Sequence, residues 1–496
     1  MLDVSNLLTQ LASWKPFTAL VVGDVMLDQH VYGDADRMTA DAPVPVLNVR
    51  RTEQMPGGAA NVCMDLVAMH GKVKVFGITG DDPEATTLAR AMTDSGVDTK
   101  GLVRDPSRPT TVKRSLVGLA QHRHPQKMFR VDHESTEPPS QRILDELLTR
   151  FDAALPDADV VCIEDYNKGV CAEPLCRAII AKCKRAGKPV LVDPARLADY
   201  ARYVGCTAIT PNRTEAEAAT GLKTHGDADP NHNAQLARAL QQQLNAEAIV
   251  LTLDRHGALL LERDAEPLAV PTVARQVYDV TGAGDMVLAA LAAARANGID
   301  WTDAVRFANA AAGLEVEVFG VQPIPLERIH SAILHDSRRL LGKGRTLEEA
   351  LIEVSAARRD GRRIVFTNGV FDLLHAGHVK LLRTAADMGD LLVVGINSDE
   401  STRRLKGPER PINSQDDRVF ILSELESVDI VIVFDDDTPI RLIEAVRPEV
   451  LVKGGDYTKD KVVGASVVES YGGVIALVEF AEGRSTTSAI ERLRGR

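Results

Sequence analysis

Short apolar runs separated by longer amphipathic stretches repeat along most of the chain. In the first part they include TALVVG (18–23), VVCI (160–163), VLVD (190–193) and AIVLTL (248–253). Each run has the length of a strand, and enough chain follows it for a helix, which predicts parallel sheets covered by helices on both faces. Ligands bind such sheets beyond the carboxyl ends of the strands, so polar residues directly after a strand are the first candidates for chemistry.

The same pattern restarts after residue 362 with RIVFTNG, LLVVGIN, VDIVIVF and VLVKGGD. Before it, residues 325–345 show no strand pattern, and Thr346-x-x-Glu349 forms the capping box of a new helix. The N-terminus (MLDVSNLLTQLASWKPF) predicts a short leading helix. The chain is therefore predicted to have two α/β domains, with limits at residues 1–330, a linker at 331–345, and 346–496.

Two segments break the alternation of strands and helices. Residues 31–56 and 110–132 follow a period of two without intervening helices, which predicts an antiparallel flap that acts as a lid or as a dimer surface. The loop HRHP (122–125) at its tip is basic, so it either meets a sugar phosphate or is a solvated tip.

Composition narrows the function classes. The 496 residues are 45% hydrophobic and 26% charged with a net charge of -12, which argues against a nucleic-acid or anionic-membrane surface but not against phosphorylated substrates. No apolar run reaches the roughly 20 residues of a membrane span, and the N-terminus lacks the plan of a signal peptide. All six cysteines lie between Cys63 and Cys206 without CxxC spacing, so we expect buried thiols in a cytoplasmic protein.

The segment DVTGAGD, which starts at Asp279, carries the first candidate for catalysis. Gly282, Ala283 and Gly284 lead into an alanine-rich helix, whose free N–H groups can hold a phosphoryl group. Asp285 stands beside them and can accept the proton of an attacking hydroxyl. The alternative interpretation is a glycine turn with an acidic helix start.

Other strand-end segments carry polar groups that suit a sugar and a nucleotide: Asp24 and Asp28, the helix start GGAAN (57–61), and TPNRTEAE (210–217). Asn212 and Glu215 would lie one turn apart on one helix face, and oxygen ligands of this kind suit Mg²⁺, usually through water. Each segment also has a structural interpretation, as helix caps, a tight turn or a capping box.

In this order, and with LTLDRHG (251–257), these motifs resemble the ribokinase family of carbohydrate kinases over roughly residues 15–325. The resemblance implies a ribokinase-like fold in which Asp285 is the base and residues 282–284 form an anion hole. It implies nucleotide and Mg²⁺ binding by Asn212, Arg213, Thr214, Glu215, Thr252 and Gly257. It implies sugar binding by Asp24, Asp28, Gly57, Gly58, Asn61, Asp165 and Lys168, the last of which is alternatively a solvated loop lysine.

The second candidate site is TNGVFDLLHAGH (367–378), which follows a predicted strand. His375 and His378 are three residues apart at a helix start, so both imidazoles face one way, and Gly377 lets a phosphate approach the backbone. Imidazole donors beside helix amides suit the charge on an α-phosphate under attack. Zinc ligation is the alternative, but no third ligand of suitable spacing is found.

This segment resembles the HxGH nucleotidyltransferase superfamily, in its cytidylyltransferase-like branch, over about residues 362–493. The resemblance implies a Rossmann-like domain with His375 and His378 in catalysis. It implies nucleotide contacts from Thr367, Asn368, Phe371, Lys406, Arg418, Lys453, Gly454, Ser485, Thr486 and Thr487. The three hydroxyl residues head the last predicted helix, where they bind the leaving phosphates or simply cap it.

The whole chain resembles the bacterial family of bifunctional heptose kinases and adenylyltransferases. The resemblance alone implies phosphorylation of D-glycero-β-D-manno-heptose 7-phosphate at C1 and, after a separate phosphatase, adenylyl transfer giving ADP-heptose for lipopolysaccharide core. It implies ATP at both sites, Mg²⁺, sugar-phosphate substrates and a homodimer, with no nucleic-acid or membrane partner. The rivals are a CTP-using second domain and a second domain that only senses nucleotide.

Overall fold

The computed structural model describes residues 5–119, 126–223, 229–272, 281–317, 320, 322–454 and 458–478. Two compact units divide the chain, and each is named after the family that its motifs resemble: residues 14–329 form the kinase unit, and residues 1–13 with 330–496 form the transferase unit. Whether each unit folds as an independent domain stays a prediction.

The kinase unit is built on a nine-stranded sheet in the order β13-β12-β11-β10-β9-β8-β1-β4-β5, in which β12 runs antiparallel to its two neighbours. Its strands are β1 (Phe17–Gly23), β4 (Gly71–Thr79), β5 (Asp98–Arg104), β8 (Val160–Glu164), β9 (Val190–Asp193), β10 (Ala208–Ile209), β11 (Ala248–Thr252), β12 (Ala258–Glu262) and β13 (Leu268–Val270). Its helices are α2 (Ala59–Ala68), α3 (Pro83–Asp94), α4 (Gln141–Ala154), α5 (Glu173–Ala186), α6 (Arg213–Thr220), α7 (Pro230–Leu244), α8 (Ala283–Ala296) and α9 (Trp301–Glu315), followed by α10 (Leu326–Leu341) across the boundary between the units.

Hydrophobic patterning explains these elements. Strand β8 is buried along its whole length, as expected of a parallel strand covered on both faces. Helix α4 buries Ile143, Leu147 and Phe151, which recur every four residues along one stripe. The expected α/β architecture is confirmed.

A separate four-stranded sheet forms the flap, in the order β3-β2-β6-β7. Its strands are β2 (Val25–Met38), β3 (Pro45–Gly58), β6 (Thr111–Leu119) and β7 (Gln126–His133). The prediction of a fully antiparallel flap is wrong, because its central pair, β2 with β6, is parallel. The chain between them passes through β3, α2, β4, α3 and β5, and so long a connection permits parallel pairing where a hairpin would not. The tip residues 122–125 lie outside the described residues.

The transferase unit has a six-stranded parallel sheet in the order β14-β17-β16-β15-β18-β19. Its strands are β14 (Gly344–Arg345), β15 (Ile364–Gly369), β16 (Leu391–Asn397), β17 (Ile430–Phe434), β18 (Val450–Gly454) and β19 (Val474–Val478). Its helices are α1 (Ser5–Ala12), α11 (Leu347–Arg359), α12 (Ala376–Ala386), α13 (Asp399–Lys406), α14 (Gln415–Ser423), α15 (Ile440–Val446) and α16 (Ala465–Ser470). Ile364 and Phe366 belong to one hydrophobic cluster and Val365 to another, so both faces of the sheet are packed.

The segment around the predicted linker differs from its sequence-based description. Helix α10 fills most of it, and β14 pairs with β17, although no strand was expected between 325 and 345. A strand of two residues is too short to show a period, and Arg345 fixes it through a buried ion pair of 2.6 Å with Glu353. The capping box of Thr346 and Glu349 is confirmed.

The predicted leading helix is also confirmed, as α1, but it groups with the transferase unit. Its Leu7, Leu8 and Leu11 are buried, and it contacts α11. All six cysteines are buried free thiols. Among the described residues, no helix combines the length and apolarity needed to cross a lipid bilayer.

Candidate active sites

A cavity of about 420 Å³ lies in the kinase unit, where the flap meets the start of α8. The main contributors are three strands of the flap (β2, β6 and β7), the end of β3 before α2, the loop after β8 and the start of α8. The lining residues are Asp28, His30, Gly57, Gly58, Lys113, Ser115, Lys127, Met128, Phe129, Arg130, Tyr166, Thr281, Gly282 and Asp285.

Asp285 is held by two donors in the first turn of α8. Gly282 caps this helix with a φ of 92°, a left-handed conformation that glycine adopts without strain. The Tyr166 hydroxyl donates to Oδ1 of Asp285 at 2.7 Å, and the Asn61 amide donates to Oδ2 at 2.9 Å. The carboxylate is therefore fixed at the cavity wall beside the helix amides.

Burial raises the pKa of Asp285 from 3.8 to about 6, while the hydrogen bonds from Tyr166 and Asn61 oppose that rise. Asp28 raises the pKa further and Lys113 lowers it. A carboxylate with such a pKa is ionised at neutral pH and is a better proton acceptor than an exposed one, which is what a general base requires.

This raised pKa gives a testable dependence of stability on pH. Because the folded state holds the proton more tightly than the unfolded state, Asp285 contributes stability below about pH 4, and that contribution is lost as the pH rises through about 6. We expect the unfolding free energy of wild type, relative to Asp285→Asn, to fall between pH 4 and 6 and to stay level above, as measured by urea unfolding. Parallel curves for the two proteins would contradict it.

Two further acids, the buried Glu164 and the half-buried Asp193, stand beside Asp285, and sequence reasoning missed both. Carboxylate oxygens of Glu164, Asp193 and Asp285 lie within 4.8 Å of one another. Burial raises the pKa of Glu164 and of Asp193, and Oε2 of Glu164 has no hydrogen-bond partner among the described residues. Hard oxygen donors of this kind suit a divalent cation such as Mg²⁺.

The structure brings Asp28, Gly57 and Gly58 to the cavity, as the sequence predicted for a sugar site. A Cβ on Gly57 would lie 2.3 Å from Oδ2 of Asp28, so only glycine allows this approach. Gly58 has a φ of 58° and caps α2. Asn61, also predicted to bind sugar, donates to Asp285 instead.

Three other predicted sugar ligands do not line the cavity. Asp24 is buried and accepts three backbone N–H bonds, from Tyr166 and Lys168 at 2.9 Å and from Val170 at 3.1 Å. Asp165 accepts from Tyr203 Oη at 2.5 Å, and the Lys168 ammonium pairs with Glu134 at 2.7 Å. These hydrogen bonds order the loop after β8, and a role of the three residues in sugar binding stays a prediction.

The predicted nucleotide residues gather at the ends of β10 and β11. Asn212 and Glu215 form a reciprocal capping box, with N···O distances of 2.8 and 3.0 Å, and Thr252 bridges to Asn212. The capping-box interpretation of this motif is therefore confirmed. The side-chain oxygens of Asn212 and Glu215 still keep lone pairs that can bind a hydrated ion. Arg213 lies 3.9 Å from Glu217, Thr214 is exposed, and Gly257 has a φ of 85° where a Cβ would collide with Val270 O at 2.3 Å.

Sequence reasoning also missed the cations of the cavity wall. Lys113 on β6, with Lys127 and Arg130 on β7, line it. Lys113 and Arg130 both lie in the flap segment with a period of two. The pairing of β6 with β7, which the sequence does not reveal, brings these two residues to the same cavity wall. Three cations at the wall favour an anionic substrate.

In the transferase unit, the two histidines stack at the start of α12. His375 caps the helix, its Nδ1 accepting from the Gly377 N–H at 3.1 Å. The rings of His375 and His378 are 3.9 Å apart between centroids, and Phe371, with a φ of 47°, packs against His378 at 5.3 Å. Burial and the neighbouring imidazole lower the pKa of His378 to about 4, so at neutral pH it is an uncharged donor.

Lys453, at the end of β18, lies beside this motif. Its ammonium donates to Oδ1 of Asn368 at 2.9 Å and to the backbone oxygen of Asn368 at 3.2 Å. Burial lowers the pKa of Lys453 to about 8, since the charged form loses hydration. Gly454 follows on the same strand, and Thr367 is fully buried with Oγ1 lacking a partner among the described residues.

Arg418 differs from its predicted role. It is 1% exposed, pairs with Asp399 at 2.7 Å, and donates to the backbone oxygens of Val370 and Asn397 at 2.8 Å. The N–H donors of its guanidinium thus bind the segments after β15 and at the end of β16, and they are not available for a bidentate contact with phosphate. Lys406 is exposed at the end of α13, and Ser485, Thr486 and Thr487 lie outside the described residues.

Known proteins match both units. The sequence profile of the pfkB family carbohydrate kinases matches residues 18–328, and that of the cytidylyltransferase-like family matches 366–488. The bifunctional protein HldE of Geobacter sulfurreducens is 44% identical over 482 residues, covering 96% of this chain and 95% of that protein. HldE of Geotalea uraniireducens is 42% identical over 480 residues, covering 97% and 96%.

Solved structures share the fold of the kinase unit. Escherichia coli phosphofructokinase-2, in complex with fructose-6-phosphate, superposes with a TM-score of 0.54 at 15% identity, covering 65% of this chain and 99% of that one. Arabidopsis thaliana ribokinase, complexed with ribose and ATP, gives a TM-score of 0.50 at 21% identity, covering 64% and 99%.

Fold and motifs together define the class of the protein, a bifunctional enzyme in which a carbohydrate kinase precedes a nucleotidyltransferase. Because the sequence identity extends over nearly the full length of this chain and of the HldE proteins it matches, the chain belongs to the HldE family.

Proposed function

We propose that the kinase unit transfers the γ-phosphoryl group of ATP to C1 of D-glycero-β-D-manno-heptose 7-phosphate. The transferase unit then joins AMP from a second ATP to the heptose 1-phosphate, after a separate phosphatase has acted. The products are ADP-heptose for lipopolysaccharide core and pyrophosphate. The observation that carries the proposal is the full-length similarity to HldE proteins, and the cations on the cavity wall support an anionic sugar.

In the first reaction, Asp285 accepts the proton of the attacking hydroxyl, and the N–H groups of residues 282–284 hold the transferred phosphoryl group. Asp28 and the turn at Gly57 and Gly58 bind the sugar. Mg²⁺, when bound, would supply charge neutralisation at the nucleotide phosphates. Asn212 and Glu215, through water, and the acids Glu164 and Asp193 are the groups in this chain that would hold it.

In the second reaction, the imidazoles of His375 and His378 donate to the α-phosphate as charge develops on it. Lys453 adds a positive charge at the same strand edge. The intact histidine pair favours catalysis over a role in nucleotide sensing alone.

We also propose that the enzyme is a cytoplasmic homodimer whose interface is the flap. Met38, Val49 and Phe129 of the flap expose 56%, 53% and 67% of their surface.

A product assay on the purified chain tests both reactions. We expect heptose 7-phosphate, Mg²⁺ and ATP to give a bisphosphate, and phosphatase treatment followed by more ATP to give ADP-heptose and pyrophosphate. CTP in place of ATP in the second step should release little pyrophosphate. Preferential use of CTP would overturn adenylyl transfer, and activity only on another sugar would overturn the heptose assignment.

A further inference from the structure

The Tyr166 hydroxyl is fixed against Asp285 from several directions. Its backbone N–H donates to Asp24 at 2.9 Å, and the neighbouring N–H groups of Lys168 and Val170 anchor the same carboxylate. The phenol then reaches Oδ1 of Asp285 at 2.7 Å. The ammonium of Lys113, on the flap, lies 4.5 Å from the centre of its ring. The loop after β8 and the flap therefore both set where this hydroxyl points.

We infer that Tyr166 is a positioning residue of the kinase reaction, whose hydroxyl holds the carboxylate of Asp285 in the orientation that receives the proton of the incoming sugar hydroxyl. The inference deepens the proposed function and rests on Asp285 being the base. Asn61 holds Oδ2 in the same way at 2.9 Å, so each oxygen has one fixed donor and keeps one lone pair for substrate.

In the kinase reaction Asp285 takes up the proton of the sugar hydroxyl, and Tyr166 only donates a hydrogen bond to Asp285. As the sugar oxygen bonds to phosphorus and the bond to ADP breaks, the sugar proton passes to Asp285. The Tyr166 hydroxyl donates its hydrogen to Oδ1 of Asp285 at 2.7 Å, so in this pair the phenol is the donor and the carboxylate is the acceptor. Tyr166 therefore acts through Asp285 and not on the substrate.

Most of the titratable groups that face Asp285 are acids. They are Asp28 on β2, Lys113 on β6, Glu164 on β8, Asp193 on β9 and Asp65 on α2. Four of these five are acids, and burial also disfavours the ionised form. Lys113 and the two neutral donors are what oppose them.

The test is Tyr166→Phe in the full-length protein, which keeps the ring and removes the hydroxyl. We expect the kinase kcat to fall about 10-fold, with little change in the KM for ATP. The acidic limb of the kcat/KM profile should move up by about one pH unit, since a lost hydrogen bond to a charged group raises the pKa of an acid. Raising the pH should then recover part of the loss, which damage to the fold would not allow.

Tyr200→Phe is the matched control, because it removes a buried hydroxyl that has no hydrogen-bond partner among the described residues. We expect it to keep the wild-type kinase rate and pH profile. The transferase rate of each preparation reports on the integrity of the chain. In Tyr166→Phe/Asp285→Asn, the loss should equal that of Asp285→Asn alone.

The outcomes separate the two claims. If Asp285→Asn is inactive while Tyr166→Phe keeps the wild-type kcat and pH profile, the inference about Tyr166 is wrong and the proposed base stands. If Asp285→Asn retains normal turnover, the proposed base is wrong, and the role of Tyr166 falls with it.

Discussion

Replacement of Asp285 by Asn lowers kinase turnover by roughly two to four orders of magnitude, the scale of losing a general base. The amide keeps the size of the side chain at the start of α8 but cannot take the sugar proton. Substrate binding should change far less, because the flap cations and the turn at Gly57 are untouched. The measurement is the rate of ADP formation with saturating sugar phosphate and ATP.

The control is Asp229→Asn, the same chemical change at the N-cap of α7, where Asn is as good a cap as Asp. It should retain wild-type kinase activity, and both variants should keep the transferase activity. Near-normal kinase turnover in Asp285→Asn would remove this residue from its proposed role.

Replacement of both His375 and His378 by Ala abolishes nucleotidyl transfer, with an expected loss of at least about three orders of magnitude. Removing one donor that stabilises developing charge costs roughly 10²- to 10³-fold, and here two are lost. The kinase reaction should proceed normally, because these residues lie in the other unit. The measurement is pyrophosphate release on the sugar 1-phosphate, alongside the kinase assay.

His375 requires a sharper control, because it also caps α12. His375→Asn keeps a good capping acceptor and removes the imidazole. If this variant transfers nucleotide normally, the histidine serves the helix and not the chemistry. Pyrophosphate release by the double Ala variant would contradict the assignment of the site altogether.

Sequence identified the parts of both sites that are local along the chain. A glycine turn before an apolar helix, as at residues 282–285, has the same backbone consequences in most folds. The spacing of His375 and His378 likewise fixes their common direction once a helix forms. The catalytic candidates at these two places could therefore be predicted before any tertiary contact was known.

Residues whose role depends on strand pairing could not be predicted in the same way. Tyr166 and Lys113 meet at the cavity only because the loop after β8 and strand β6 are brought together. Conversely, Asp24 and Arg418 match polar motif positions, but Asp24 accepts from backbone groups of the protein itself, and Arg418 donates to backbone oxygens and to Asp399. A sequence shows that a charge follows a strand, but the partner of that charge is set by the fold.

The placement of α1 bears on how the gene can be divided. Residues 1–13 belong to the transferase unit, residues 14–329 form the kinase unit, and the chain then returns to the transferase unit. A single cut in the gene therefore does not separate the two units. A fragment ending near residue 330 would contain α1 without α11, the helix that α1 contacts, and would expose the buried side chains of Leu7, Leu8 and Leu11. A fragment beginning after it would lack the helix that contacts α11. Dissecting this enzyme genetically calls for a permuted second fragment in which residues 1–13 are restored.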